Sequence, residues 1–187
     1  MTRLHLGLVH YPVYDKNGQR IASAVTPVDI HDLARIARTY GAGTFQIITP
    51  LKDQQELVDR IRTHWTAGFG ASYNPDRREA VQRVAVADTL EDGIHNIHRR
   101  EGEAPFVVAT DAGGQQENML SFSDMQTLLR DERVVFLLFG TAWGLDRDVL
   151  QQADAVLEPI RGIDGYNHLP VRAAAAIIVD RLVGVHP

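Results

Sequence analysis

The chain has no cysteine, only two tryptophans and only two lysines, Lys16 and Lys52. Without cysteine there is no disulfide, no thiolate nucleophile and no cysteine-ligated zinc. No apolar run approaches the roughly 18–20 residues that cross a bilayer. The opening MTRLHLGLVHYP lacks a signal peptide's long apolar centre and small-residue cleavage site. A soluble cytoplasmic protein is expected. No low-complexity tract suggests disorder, and no HExxH or similar spacing suggests a metal site. His95 and His98 lie three apart, but Arg99 and Arg100 beside them point to a solvated face.

What is there fits one folded domain over residues 1–187: 44% of the residues are hydrophobic and 23% charged. The net charge of −5 speaks against a strongly basic nucleic-acid binder. The base is nearly all arginine, seventeen residues against two lysines. Arginine pairs with phosphate through two donors and stacks on bases; codon usage in a GC-rich genome gives the same bias.

Short apolar runs alternate with helical patterns. LHLGLVH (4–10), TFQIIT (44–49), VAVAD (84–88), FVVAT (106–110), VVFLLF (134–139) and AVLEPI (155–160) read as six strands. Thr26-Pro27-Val28-Asp29 opens a helix, with Ile30, Leu33, Ala34 and Ala37 on its apolar face and Gly41 at its end. Pro50 is expected to open a second helix, 68–75 to be a loop, and Asn74-Pro75 to start another helix. Thr89 and Asp92 cap a helix running to about Arg100. Ser123 to Gln126 has capping-box spacing after the loop DAGGQQENML. DRDVLQQA is a short helix, and Pro170 is placed at the first position of the last helix, with Leu169 as a poor cap. This is an α/β pattern with a mainly parallel sheet of about six strands and helices on both faces. Ligands sit beyond the carboxyl ends of such strands; Thr110-Asp111, Gly140-Thr141 and Glu158-Pro159 are the ends that stand out.

Two segments carry chemistry. FGTAWGL (139–145) puts glycine where a ligand can approach the backbone, yet its GxxxG spacing is neither the dinucleotide fingerprint nor a phosphate loop; by itself it reads more readily as a tight turn. LEPIRG (157–162) leads through Tyr166, Asn167 and His168 into PVRAAAAIIVDRL. Asn167 and His168 either face a ligand or only bond the helix end.

LLFGTAWGL, LEPI and NHLPVRAAAAIIVDRL, in that order, resemble the SPOUT (SpoU–TrmD) superfamily of knotted RNA methyltransferases, over residues 105–184. Asp29 to Arg35, ending at Tyr40-Gly41, sits at the spacing of one branch's early Asn-x-Gly-x-x-x-Arg helix, with Asp29 and His31 replacing its Asn and Gly. LVHYP, AVTPVDIHDLARIARTYG and the chain's last helix look most like a small, single-domain bacterial group of RNA methyltransferases. The resemblance implies a deep C-terminal trefoil knot, S-adenosylmethionine (SAM) as cofactor, a tRNA or rRNA substrate and a homodimer. It implies cofactor contacts from Thr110, Leu138, Gly140, Trp143, Gly144, Leu157, Pro159, Ile160, Asn167, Leu169 and Ala174, with Val108 in an apolar wall. It implies that His168 and Arg172 face the methyl group or the nucleotide. Arg35 or Asp29, from either subunit, would steer a phosphate or accept a proton. Read without the resemblance, Arg35 is an exposed helix arginine paired with Asp32 or Asp29, and His10 is a residue at the same sheet edge. Two rival functions are a SAM-binding protein without activity and a nucleotide-binding oxidoreductase.

Overall fold

The computed structural model describes residues 3–113 and 118–185. In chain order the elements are β1 (Leu4–Val9), β2 (Val13–Tyr14), β3 (Arg20–Ile21), α1 (Pro27–Thr39), β4 (Phe45–Ile48), α2 (Lys52–Thr66), α3 (Phe69–Tyr73), α4 (Pro75–Val81), β5 (Val84–Ala87), α5 (Leu90–Glu101), β6 (Phe106–Thr110), β7 (Met119–Leu120), α6 (Phe122–Arg130), β8 (Val135–Gly140), α7 (Arg147–Gln152), β9 (Ala155–Leu157) and α8 (Val171–Val183). No described helix is long and apolar enough to cross a membrane.

Seven strands form one sheet in the order β5-β4-β1-β8-β6-β9-β7, every pairing parallel. The six expected strands are all in it. The seventh, β7, lies in the stretch read as a loop: Met119 and Leu120 pair with Val156 and Leu157. Residues 114–117 of that loop lie outside the described residues. Leu4, Leu6 and Leu8 pack with Ile30 and Leu33 of α1, Met125 of α6 and Ala175 of α8. Val9, Phe136 and Leu138 pack on the opposite face with Leu90 and Ile97 of α5 and Val149 of α7. Both faces are covered, which is why β1 and β8 read as continuous apolar runs.

Local chemistry fixes most helix starts. Thr26, Asn74, Thr89, Ser121 and Asp146 each accept from an amide of the first turn. Three expected starts move. Pro50 stays outside α2, because the Thr49 hydroxyl accepts from the Leu51 amide and holds the chain extended for one more residue. The α6 box sits two residues early: Ser121 Oγ accepts from Asp124 N at 3.1 Å and donates to Asp124 Oδ2 at 2.6 Å. Pro170 is itself the cap of α8, its carbonyl accepting from Ala174 N at 3.0 Å. The 68–75 loop contains α3, because Gly70 lets this turn lie against Trp65 and His64, where a Cβ would come within 2.7 Å of the Trp65 ring. Finally, β9 stops at Leu157, where the Glu158 amide bonds Leu120 O and Pro159 has no donor to continue the ladder.

Candidate cofactor cavity

The sheet order reverses around β1, β8 and β6, and a cavity of about 1040 Å³ opens there, beyond the carboxyl ends of β6, β8 and β9. Its size is at the upper end of the about 300–1,000 Å³ of small-molecule sites. Three strand-end segments line it: Thr110 to Gly113 after β6, Phe139 to Gly144 after β8, and Leu157 to Ile160 after β9. Asn167 to Val171, Ala174 and Ile178 close it from α8, and Ser23, Ala24 and Asp29 from the first crossover.

Hydrogen bonds hold these segments in place. Thr110 Oγ1 donates to Leu138 O at 2.9 Å. Asn167 Nδ2 donates to Ala112 O at 2.9 Å, tying the loop before α8 to the loop after β6. The turn after β8 is clamped by the β2–β3 hairpin. Trp143 N donates to Tyr14 O at 3.0 Å, and Tyr14 N to Gly144 O at 3.1 Å. Arg20 spans both oxygens of Asp146 at 2.9 Å and reaches Asp148. Asp146 is only 1% exposed. Burial pushes its carboxyl up, but the Asp148 amide and Arg20 more than offset this and hold it below the usual range. Ala142 and Gly144, at φ 51° and 105°, give the turn its tight path.

Beneath the turn, buried His10 bonds Ser23 Oγ through Nδ1 at 2.9 Å, and Ser23 Oγ lies 2.5 Å from Thr141 Oγ1, which donates to Val9 O at 3.0 Å. Because Thr141 gives its proton to Val9 O, Ser23 donates to Thr141 and His10 donates from Nδ1, as the neutral ring does. Burial pushes His10 down to about 4, against the pull of Asp29. Burial does the same to His5, also to about 4, against Glu101. Both values lie below the ordinary 6.5, so the unfolded chain binds more protons between pH 6.5 and 4. Stability is therefore complete above 6.5 and is lost as pH falls toward 4, by at most about 1.4 kcal/mol per pH unit and histidine. The urea midpoint is expected to be lower at pH 5 than at pH 7, with a smaller drop in His10→Asn; an unchanged drop removes His10 from this account.

On the α8 side, Arg172 Nε lies 3.2 Å from Asp29 Oδ1, and its Nη1 3.1 Å from Asp32 Oδ2. Asp29 Oδ2 also accepts from the Thr26 hydroxyl at 2.6 Å. Asp32 thus pairs with Arg172, not with Arg35. Arg35 is exposed on α1 and does not line the cavity. Leu138 also does not: it is fully buried in the sheet, paired with Gly7 and Ala109. Val108 is likewise buried in β6. The structure brings together Thr110, Gly140, Trp143, Gly144, Leu157, Pro159, Ile160, Asn167, His168, Leu169, Ala174 and Asp29, with Arg172 held at Asp29. Ser23, Ala24 and Ile178 are additions that no motif signalled.

The chain matches, over residues 3–184, a protein-family model described as "SAM-dependent RNA methyltransferase". The chain belongs to this family. A curated relative, named tRNA (guanine-N(1)-)-methyltransferase in Oleidesulfovibrio alaskensis, is 48% identical over 181 residues, which are 97% of this chain and 42% of that protein. The chain therefore spans less than half the length of the first curated relatives it matches. Among solved structures, TrmJ from Z. mobilis superposes with a TM-score of 0.62 at 17% identity, covering 95% of this chain and 67% of the other. The SpoU methyltransferase AviRb from Streptomyces viridochromogenes gives 0.57 at 16% identity, covering 98% and 60%. At these identities the structures share the fold. For a SAM-dependent methyltransferase the cavity has suitable chemistry. Leu157, Ile160, Ala174 and Ile178 offer apolar wall to an adenine, Thr110, Thr141 and Asn167 offer polar groups, and Asp111 and Glu158 offer carboxylates to a cationic cofactor.

Proposed function

We propose that this chain transfers a methyl group from SAM to a nucleotide of tRNA or rRNA, with both bound in the cavity beyond β6, β8 and β9. The observation that carries the reading is the convergence of three strand-end segments and the start of α8 on one cavity that also takes in Asp29. SAM supplies an electrophilic methyl group on its sulfonium. The backbone at Gly140, Ile160 and Leu169 would hold adenine and ribose, between Leu157 and Ala174. Thr110, Trp143, Gly144, Pro159 and Asn167 would complete the cofactor contacts. His168, Asp29 and Arg172 would face the nucleotide. They would align the attacking atom and take its proton. Guanine N1 of a tRNA, suggested by the Oleidesulfovibrio alaskensis relative's name, carries a proton that must leave.

In the same proposal, residues 1–187 act as one α/β knot domain, the segment before α8 passing through the loops around the cavity as a trefoil knot. The Asn167–Ala112 bond between two of those segments supports this. The active form would be a homodimer, since Arg35 would reach a cavity from a second copy. Its compartment would be the cytoplasm, where its RNA would be.

Calorimetric titration with S-adenosylhomocysteine, with NADH as control, tests the cofactor half. Radiolabelled SAM with total tRNA and rRNA, followed by nucleoside analysis, tests the transfer. Saturable binding and a labelled nucleoside are expected. Binding of NADH instead, or binding of S-adenosylhomocysteine with no labelled nucleoside, overturns the reading.

A further inference from the structure

On the flank of α1 away from Asp29 and Asp32 lies a cluster the cavity does not use. Trp65 of α2 meets His31 of α1 edge-on, with ring centroids 5.5 Å apart, and His64 at 5.1 Å. The Arg77 guanidinium of α4 sits over the Trp65 ring at 5.4 Å. Phe69 and Tyr73 of α3 stack on each other, centroids 5.6 Å apart, at 72% and 74% exposure. Gly70 between them joins the two groups by packing on Trp65 and His64.

The charge around these rings is unusual for an acidic chain. Arg38 pairs with Glu79, Arg62 with Asp59 and Arg172 with two carboxylates. Arg35 and Arg77 form no ion pair among the described residues. The field they create shows at His31, whose pKa falls through burial and then through Arg77, Arg35 and His64, with only Asp32 opposing. Two stacked aromatics left in water, on the short helix between Trp65 and Arg77, together with a guanidinium outside any described ion pair, are suited to bases on a phosphate backbone: rings stack on any base, and arginines meet phosphate.

We propose that the surface formed by Trp65, Phe69, Tyr73 and Arg77 is a docking platform for single-stranded RNA, separate from the site of methyl transfer. The platform deepens the RNA methyltransferase reading and rests on it for the identity of the nucleic acid. A strand stacked on Phe69 and Tyr73 would present nucleotides that flank the target, while the target nucleotide itself enters the cavity.

Trp65 reports on this surface directly. The chain has two tryptophans, so Trp143→Phe leaves Trp65 as the sole emitter. The probe is an oligouridylate of about 12 nucleotides, within the about 4–16 nucleotides that single-strand sites cover. Saturable quenching of Trp65 is expected. A Phe69→Ala/Tyr73→Ala double variant should weaken binding about 10-fold or more, since stacking contributes about 1–3 kcal/mol per base. Arg77→Ala should flatten the salt dependence by about 0.7, the single-strand slope per phosphate. Both exposed rings can be removed without touching the core, and an unchanged thermal midpoint verifies this. No quenching, or a double variant that binds like the parent, overturns the proposal. So does a double variant that changes the sedimentation coefficient while keeping RNA affinity, which makes the patch a contact between copies. Failure of the protein with both tryptophans intact to bind S-adenosylhomocysteine, with quenching seen in the Trp143→Phe form, would instead overturn the methyltransferase reading and leave the platform standing as a nucleic-acid site.

Discussion

Gly140→Val is expected to weaken S-adenosylhomocysteine binding at least about 100-fold, equivalent to about 2.7 kcal/mol. Gly140 ends β8 and begins the turn that lines the cavity. A Cβ there would come within 2.7 Å of the Leu145 amide nitrogen, 3.0 Å of Leu145 Cγ and 3.1 Å of the Gly144 carbonyl carbon. Two of these atoms are backbone, so the turn must move as a whole. It cannot move freely, because Tyr14 grips it from both sides at Trp143 and Gly144, and Arg20 fixes Asp146 below. The strain therefore goes into the path from Thr141 to Gly144, which the cofactor would follow. Calorimetry measures the affinity, and a urea melt separates it from unfolding. Gly140→Ala should show the same effect at smaller size. A folded Gly140→Val protein with parental affinity would show that this turn does not hold the cofactor.

The sheet was readable because each of its six longer strands is an apolar run closed by a strong signal: a glycine, a proline or a capping residue. The seventh was not, because β7 has two residues, Met119 and Leu120, that follow a polar loop and gain order only by pairing with β9. The cavity's three strand ends were readable for the same reason as the strands. The bonds that shape it were not. The His10–Ser23–Thr141 relay joins residues 118 positions apart, and the Arg172–Asp32 pair residues 140 apart. Sequence spacing favoured the local partner Arg35 for Asp32. The packing of α8 beside α1 brought Arg172 instead, and left Arg35 on the flank with His31 and Arg77.

That exchange of partners makes Asp29→Asn the most informative catalytic variant, with turnover expected to fall about 10²–10⁴-fold, the usual contribution of a positioned base. Asp29 sits in the first turn of α1, where the helix dipole favours a negative charge. Its side chain is 14% exposed and lines the cavity. One oxygen accepts from Thr26, the other faces Arg172 Nε at 3.2 Å. An amide at this position keeps the Thr26 bond but turns an NH2 toward the guanidinium, or loses the Thr26 bond by flipping. Either way the carboxylate that would take the proton is gone and Arg172 keeps Asp32 as its one charged partner among the described residues. Cofactor affinity should change little, since the strand-end segments that would hold SAM are untouched. His168 supplies the contrast: exposed in the loop before α8 and edge-on to Tyr166 at 5.3 Å, it has no such anchoring. His168→Ala should cost less in turnover than Asp29→Asn under saturating RNA and SAM. The reverse order would move the base to His168 and leave Asp29 as the group that holds Arg172 in place.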